Sequence, residues 1–214
     1  MKLIEVSHFI NPAKAADIII SKCRPFLETI EYNTLNETLY RGVHSDSRQY
    51  MQVDKETGLR VINGINPNRQ PKDTDAQIHK HINEAFVKKF GVPFRNGTFT
   101  SGNLQQAHTY GNMVSVIFPI GDFKFLWSAT IDDLYIASLD VIDNFEEYST
   151  DAKTPENITA ELLDWANYQD TDLVKGIQSG NEVMLYCDKC ILLRMNREHD
   201  TLDVLQHIQQ RGGR

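Results

Sequence analysis

The sequence predicts an α+β domain, and three patterns carry that expectation. Proline-marked helix starts with apolar stripes behind them occur at Asn11-Pro12 and Thr154-Pro155. Strand-like apolar runs collect in the middle and near the end, at Met113 to Pro119, Phe123 to Trp127, Glu182 to Tyr186 and Ile191 to Met195. No repeat, low-complexity tract or linker divides the 214 residues, a length that can bury a sizeable core. One domain over 1–214 is therefore expected, with helices early and strands gathered later.

The elements follow in order. Asn11 caps and Pro12 opens a helical segment over about 11–32, where Ile18, Ile19, Cys23, Phe26, Leu27 and Ile30 recur at helical spacing. Pro25 must kink or divide it. Thr38 to Val43 has strand character and delivers Arg41 near its end. His44 to Asp73 is polar, with turn signals at Asn63-Gly64, Asn66-Pro67 and Gln70-Pro71. Its length predicts either a functional loop or small strands around Gly58 to Ile62. Asp73-Thr74 is the expected cap of a helix striped by Ile78, Ile82, Phe86 (or Ala85) and Phe90 and closed by Gly91.

Gly97 to Thr100 reads as a strand leading into a short helix, Leu104 to Tyr110, closed by Gly111. Met113 to Pro119 and Phe123 to Trp127 are strands separated by the Ile120-Gly121-Asp122 turn. Ile131 to Glu147 is acidic and helical in pieces. After Thr154-Pro155-Glu156, the residues Ile158, Leu162, Trp165 and Ala166 are the expected buried face of a helix. The strands Glu182 to Tyr186 and Ile191 to Met195 are expected to form a hairpin across Cys187-Asp188-Lys189-Cys190. The tail, Arg211-Gly212-Gly213-Arg214, is expected to fray.

Composition narrows the function classes. With 41% hydrophobic and 24% charged residues the chain matches ordinary soluble proteins. A formal net charge of -7 argues against gripping nucleic acid by the overall field, although Arg41, Arg48, Arg60, Arg69 and Arg95 leave room for a local basic patch. No apolar run approaches the roughly 20 residues of a membrane helix, so no membrane partner is expected. Met1-Lys2-Leu3-Ile4-Glu5-Val6 carries an early acid and does not read as a secretory signal. Three cysteines without framework spacing fit reduced thiols, and a cytoplasmic location is expected.

Cys187 and Cys190 have the spacing of a zinc half-site or a redox pair, but a zinc site needs two further ligands and a turn is the better expectation. His79 and His81, two apart on a helix, face different ways and are expected to be solvated rather than to share a metal. No metal site is assigned.

Three short motifs carry the chemistry: Leu39-Tyr40-Arg41-Gly42, Phe99-Thr100-Ser101-Gly102 leading into Ala107 and Tyr110, and Asn181-Glu182-Val183-Met184-Leu185. An arginine, a hydroxyl pair and a glutamate, each on or beside a strand, suit a pocket for a phosphate-bearing nucleotide with one catalytic carboxylate. The Arg41 guanidinium can hold phosphate oxygens bidentately, and Gly42, lacking a Cβ, permits close backbone approach. Thr100 and Ser101 offer short hydroxyls to orient a carboxylate or a ribose, while Thr-Ser-Gly before a helix equally suits an N-terminal cap. Tyr110 suits either ring stacking or the core. Arg69 is a candidate for a second phosphate contact.

In order and spacing these motifs resemble the ADP-ribosyltransferase superfamily in its arginine–serine–glutamate class, and the chain is similar to uncharacterised phage-encoded members. The matching residues number only some twenty, though their span covers most of the chain. The resemblance implies a split β-sheet core with flanking helices and NAD as substrate. It implies that Arg41 and Gly42 meet phosphate or ribose, that Thr100, Ser101 and Tyr110 shape the nicotinamide pocket, and that Glu182 is catalytic.

The implied activity is transfer of ADP-ribose to a macromolecular acceptor, a host protein more than nucleic acid given the acidity. The alternatives are NAD glycohydrolysis, or a binding or structural protein that has kept the fold and lost the chemistry. Two departures bear on that choice. Gly102 stands where the family more often has a second serine, and Gly180 where transferases acting on arginine or asparagine carry Glu or Gln. Gln178 fills the second role only if the loop is rearranged.

Overall fold

The computed structural model describes residues 10–44, 53–69, 74–195 and 198–212. Met1 to Val6, Arg48, the Gln70-Pro71 turn, Asp73, and Gly213 and Arg214 lie outside the described residues.

The chain is α+β, as expected. Helix α1 (Pro12–Lys22) is capped by the Asn11 side chain, which accepts from the Lys14 amide, and Pro25 does divide the segment, with α2 (Arg24–Thr29) restarting after Cys23. Strands β1 (Tyr40–Val43) and β2 (Leu59–Asn63) follow, the latter inside the polar segment. Helix α3 (Ala76–Phe90) ends at Gly91 in the left-handed region, φ 81°. Its cap is Asp75, whose carboxylate accepts from the Gln77 and Ile78 amides, rather than the Asp73-Thr74 pair.

A 3-10 turn (Phe94–Asn96) enters β3 (Thr98–Ser101), then α4 (Leu104–Thr109), β4 (Met113–Pro119) and β5 (Lys124–Trp127). The acidic stretch forms α5 (Leu134–Asp143) and α6 (Phe145–Tyr148), and Thr154 caps α7 (Pro155–Ala166). Helix α8 (Leu173–Ser179) precedes β6 (Glu182–Tyr186) and β7 (Lys189–Arg194), and α9 (Glu198–Gly212) completes the order.

All pairings among the seven strands are antiparallel, in the order β2-β7-β4-β1-β3-β6-β5. The seam between β1 and β3 is a single residue pair, Tyr40 with Ser101, whereas β1 pairs with β4 over four positions. The sheet therefore consists of two halves, β2-β7-β4-β1 and β3-β6-β5, touching along one pair.

This arrangement corrects the hairpin expected at Cys187 to Cys190. Strands β6 and β7 are consecutive in sequence but lie in different halves, so the turn between them is a corner at which the chain changes half-sheet. The connection from β4 to β5 crosses in the same way. Backbone bonds hold the corner: the Gly64 amide donates to the Asp188 carbonyl at 2.9 Å, and the Ile120 amide to the Lys189 carbonyl at 2.9 Å.

Two apolar clusters flank the sheet. One joins α1, α2, α8 and α9 to β4, β6 and β7 through residues such as Ile19, Phe26, Ile177, Val183, Leu193 and Ile208. The other packs α3, α5 and α7 on β5 and β6 through Ile82, Phe86, Leu134, Leu162, Leu126 and Met184. Strand alternation thus sends Val183 and Leu185 to the first cluster and Met184 to the second.

Two further expectations are corrected. Trp165 is 46% exposed, because the buried face of α7 runs through Ile158, Leu162 and Ala166 and turns away from it. Of the tail expected to fray, the described residues Arg211 and Gly212 instead close α9: Val204, Leu205 and Ile208 bury against α1, and Arg211 pairs with Asp17. Among the described residues no helix is long and apolar enough to cross a membrane.

Candidate active site

Glu182 opens β6 directly opposite Ser101 of β3, and its amide donates to the Asp132 carbonyl at 3.0 Å. Its residue is only 6% exposed, and its Oε1 is buried with no hydrogen-bond partner among the described residues. Burial first, and the neighbouring Asp133 carboxylate second, push the Glu182 carboxyl up to about 8, against the opposing pull of Arg95 and Arg69. A carboxyl poised near neutrality in a desolvated place is what acid–base and electrostatic chemistry requires.

Three guanidiniums gather around Phe99, which lies two residues before Ser101, the partner of Glu182, and so on the same face of the sheet. Arg41 Nη1 donates to the Phe99 carbonyl at 3.4 Å. The Arg69 guanidinium carbon lies 4.1 Å from the Phe99 ring centroid, and that of Arg95 6.0 Å. Arg69 also donates from Nη1 to the Gly97 carbonyl at 2.9 Å. Burial, then the like charges of Arg41 and Arg95, hold Arg69 down to about 10. Such crowding of cations is relieved by an anion.

Arg95 is itself 6% exposed. Its Nε donates to His79 Nδ1 at 3.0 Å and its Nη2 to Thr74 Oγ1 at 3.1 Å, while Nη1 is buried without a hydrogen-bond partner among the described residues. His79 is thus buried, not solvated as expected. Burial, then Arg95 and Arg69, hold it down to about 4, so the ring is neutral near pH 7 and accepts from Arg95. Asn83 completes this support, accepting the Arg95 amide at 3.0 Å. An open groove of about 450 Å³ adjoins the cluster, lined by Arg69, His79, Asn83 and Asn96; Glu182 and Arg41 are not in its lining.

Two phenols lie within electrostatic reach of Glu182 and Asp133. Burial and then the charges of Glu182 and Asp133 raise the Tyr110 hydroxyl, which accepts from Gln106 Nε2 at 3.2 Å. Tyr168 is raised well above its ordinary value, by burial and then Glu182, and its hydroxyl has no hydrogen-bond partner among the described residues. Asp133 caps α5, its Oδ1 accepting from the Tyr135 and Ile136 amides, which fixes a second carboxylate beside Glu182.

Of the residues singled out in the sequence, Arg41, Ser101, Tyr110 and Glu182 share one neighbourhood. Thr100 points to the opposite face with Val183, whose carbonyl accepts its Oγ1 at 2.7 Å. Ser101 donates from Oγ to the Gly180 carbonyl at 2.6 Å and accepts the Asn103 amide at 2.9 Å. The cap of α4 is Asn103, not the Thr-Ser-Gly run. Gly42 does permit a close approach, to α4: a Cβ there would lie 1.8 Å from the Ala107 carbonyl oxygen.

The two departures have structural causes. A Cβ on Gly102 would lie 1.8 Å from the Ile177 carbonyl oxygen, so glycine lets α8 dock against the end of β3. Gly180 ends α8 at φ 74°, a conformation that disfavours any side chain. Gln178 turns elsewhere, donating from Nε2 to Glu37 Oε1 at 2.8 Å.

Sequence reasoning did not find Arg95, Asp133 or Tyr168 as site residues. Arg95 stood only in a scattered set of arginines, and Asp133 before Leu134 signals a helix cap at most. Comparison of the chain with protein-family models, with curated proteins and with solved structures found no match.

Proposed function

We propose that the protein is an NAD-dependent ADP-ribosyltransferase of the split-sheet type, with Glu182 as its catalytic carboxylate. The observation that carries this reading is the buried Glu182, with one unpartnered oxygen, beside guanidiniums gathered on Phe99. A pyrophosphate answers the cation cluster, and a ribose hydroxyl answers the free carboxylate oxygen.

The chemistry follows from the charges. Breaking the bond between the ribose C1′ and the nicotinamide nitrogen sends the bonding electrons to nicotinamide and builds oxocarbenium character on the ribose. The Glu182 carboxylate, accepting the 2′-hydroxyl, stabilises that charge more in the transition state than in the ground state. The cationic nicotinamide ring of bound NAD favours the ionised carboxylate and so opposes the effect of burial. An acceptor nucleophile then bonds to C1′ and releases its proton. The acceptor in this reading is a protein side chain.

A second reading, NAD glycohydrolysis with water as nucleophile, is favoured by Gly180 and by the engagement of Gln178 with Glu37, which leave no acid or amide two residues before Glu182.

The test is incubation of wild type and Glu182→Gln with NAD labelled on the adenosine, with and without a cell lysate. Label transferred to protein in a Glu182-dependent way supports transfer. Nicotinamide release without labelled protein supports hydrolysis. No release, no label and no thermal shift with NAD would reject both.

A further inference from the structure

We infer that Cys187 and Cys190 form a dithiol site that a low-molecular-weight disulfide oxidises to an intramolecular disulfide, stapling the corner between the two half-sheets. The two sulfurs lie 3.2 Å apart, both residues buried, which is about 1.2 Å beyond a formed bond. In an ordinary β-hairpin, ladder bonds would hold the two strands and the spacing would need no further explanation. Here no ladder joins β6 to β7, because they belong to different halves.

The surrounding chain is shaped to hold the pair. A Cβ on Gly64 would lie 2.3 Å from the Cys187 carbonyl oxygen and 2.9 Å from its sulfur, so glycine lets the end of β2 close over that thiol. Cys190 is fixed from both sides, opposite Ile62 of β2 and Pro119 of β4. Cys23, the third thiol, is directed to the Phe118 carbonyl at 3.8 Å and is not paired with a second sulfur.

The reaction balances with oxidised glutathione as oxidant. Cys187, 3% exposed against 0% for Cys190, attacks one glutathione sulfur and displaces the other as a thiolate. Cys190 then attacks the Cys187 sulfur, breaking the mixed disulfide and expelling the second glutathione. Two electrons pass from the cysteine pair to the glutathione disulfide, and the two cysteine protons end on the two glutathione thiols. The hydrogen bond with Cys190 and then burial raise the Cys187 thiol, so the thiolate fraction is low and the exchange is slow rather than immediate.

The test is intact-mass analysis of the full chain. Native protein is held with oxidised glutathione in mildly alkaline buffer for hours, quenched with acid, denatured and alkylated with N-ethylmaleimide. The expected product carries one maleimide, on Cys23, and has lost two hydrogens. Cys23→Ser should carry none and show the same loss, and Cys190→Ser should retain one glutathione on Cys187. Three maleimides on wild type, in a native and in a gently warmed sample, would overturn the inference. So would a wild type that keeps a stable glutathione adduct, since the second thiol would then be out of reach.

Discussion

Ser101 and Glu182 face each other across the β3–β6 ladder, yet the serine hydroxyl is committed to the Gly180 carbonyl at 2.6 Å. The serine therefore holds the loop that delivers the glutamate rather than presenting a free hydroxyl. The Asn103 amide, donating to Ser101 Oγ, ties the start of α4 into this arrangement. One small side chain thus joins the end of β3, the entry to β6 and the cap of α4.

Replacing Glu182 should separate activity from stability. Glu182→Gln is expected to lose about 100-fold or more in nicotinamide release. The same change should stabilise the fold in a pH-dependent way. The unfolded carboxyl ionises near 4.5 and the folded one near 8, so wild type loses stability across that window, by about 1.4 kcal/mol per pH unit at most. Melting curves should therefore coincide below about pH 4.5 and diverge upward, with the variant melting several degrees higher above about pH 8. Equal melting temperatures at both ends would show that Glu182 is not desolvated.

The pH profile of kcat/KM for NAD cleavage should rise about tenfold per unit on its acid limb and level near pH 8, where free Glu182 ionises. The kcat profile should turn at lower pH, because bound NAD places a cation beside the carboxylate. Coincident limbs would argue against that contact.

Arg95 pulls the Glu182 carboxyl downward, so Arg95→Leu should move the acid limb to higher pH, while Arg95→Lys restores part of the shift. The readout is the position of the limb as well as the rate.

Arg69 lies against Phe99 at the edge of the cluster, and Arg69→Ala should raise KM for NAD by about 10- to 100-fold, with a smaller change in kcat. An unchanged KM would remove Arg69 from the binding surface.

The two glycines that depart from the resemblance should be costly to replace. Gly102→Ala places a Cβ against a backbone carbonyl, and the loss expected from overpacking is about 1–3 kcal/mol in urea unfolding. Gly180→Ala, at φ 74°, should lose about 1–2 kcal/mol. Stability equal to wild type in both would mean that α8 relaxes without effort.

Local signals were readable where the physics is local. Asn11, Thr154 and Gly91 mark helix ends because capping depends on a few adjacent residues. Strands β4, β5 and β6 were legible as apolar runs, but their partners were not, because tight turns ordinarily make hairpins and here they change half-sheet. Helix α8 was missed, since a seven-residue element containing Gly176 has little propensity and depends on packing against Trp127.

At the site, Arg41 and Glu182 stood out because each sits in a short recognisable run. Arg95 and Asp133 reach it from a turn and a helix cap, whose sequence context speaks only of local structure. His79 was misjudged for a related reason: its partner Arg95 lies sixteen residues away, beyond any helical periodicity.

The seam one pair wide has a consequence for how the chain folds. One half-sheet takes β1, β2, β4 and β7, and the other β3, β5 and β6, so the two are interleaved along the chain. No single cut yields either half intact, and every truncation that removes one strand set also strips the other. The pairing of β2 with β7 spans more than half of the chain and that of β3 with β6 more than a third, so loop-closure entropy must be overcome before these contacts form. Folding is accordingly expected to be slow and cooperative, with Arg41 of β1 reaching Phe99 of β3 only when the two halves meet.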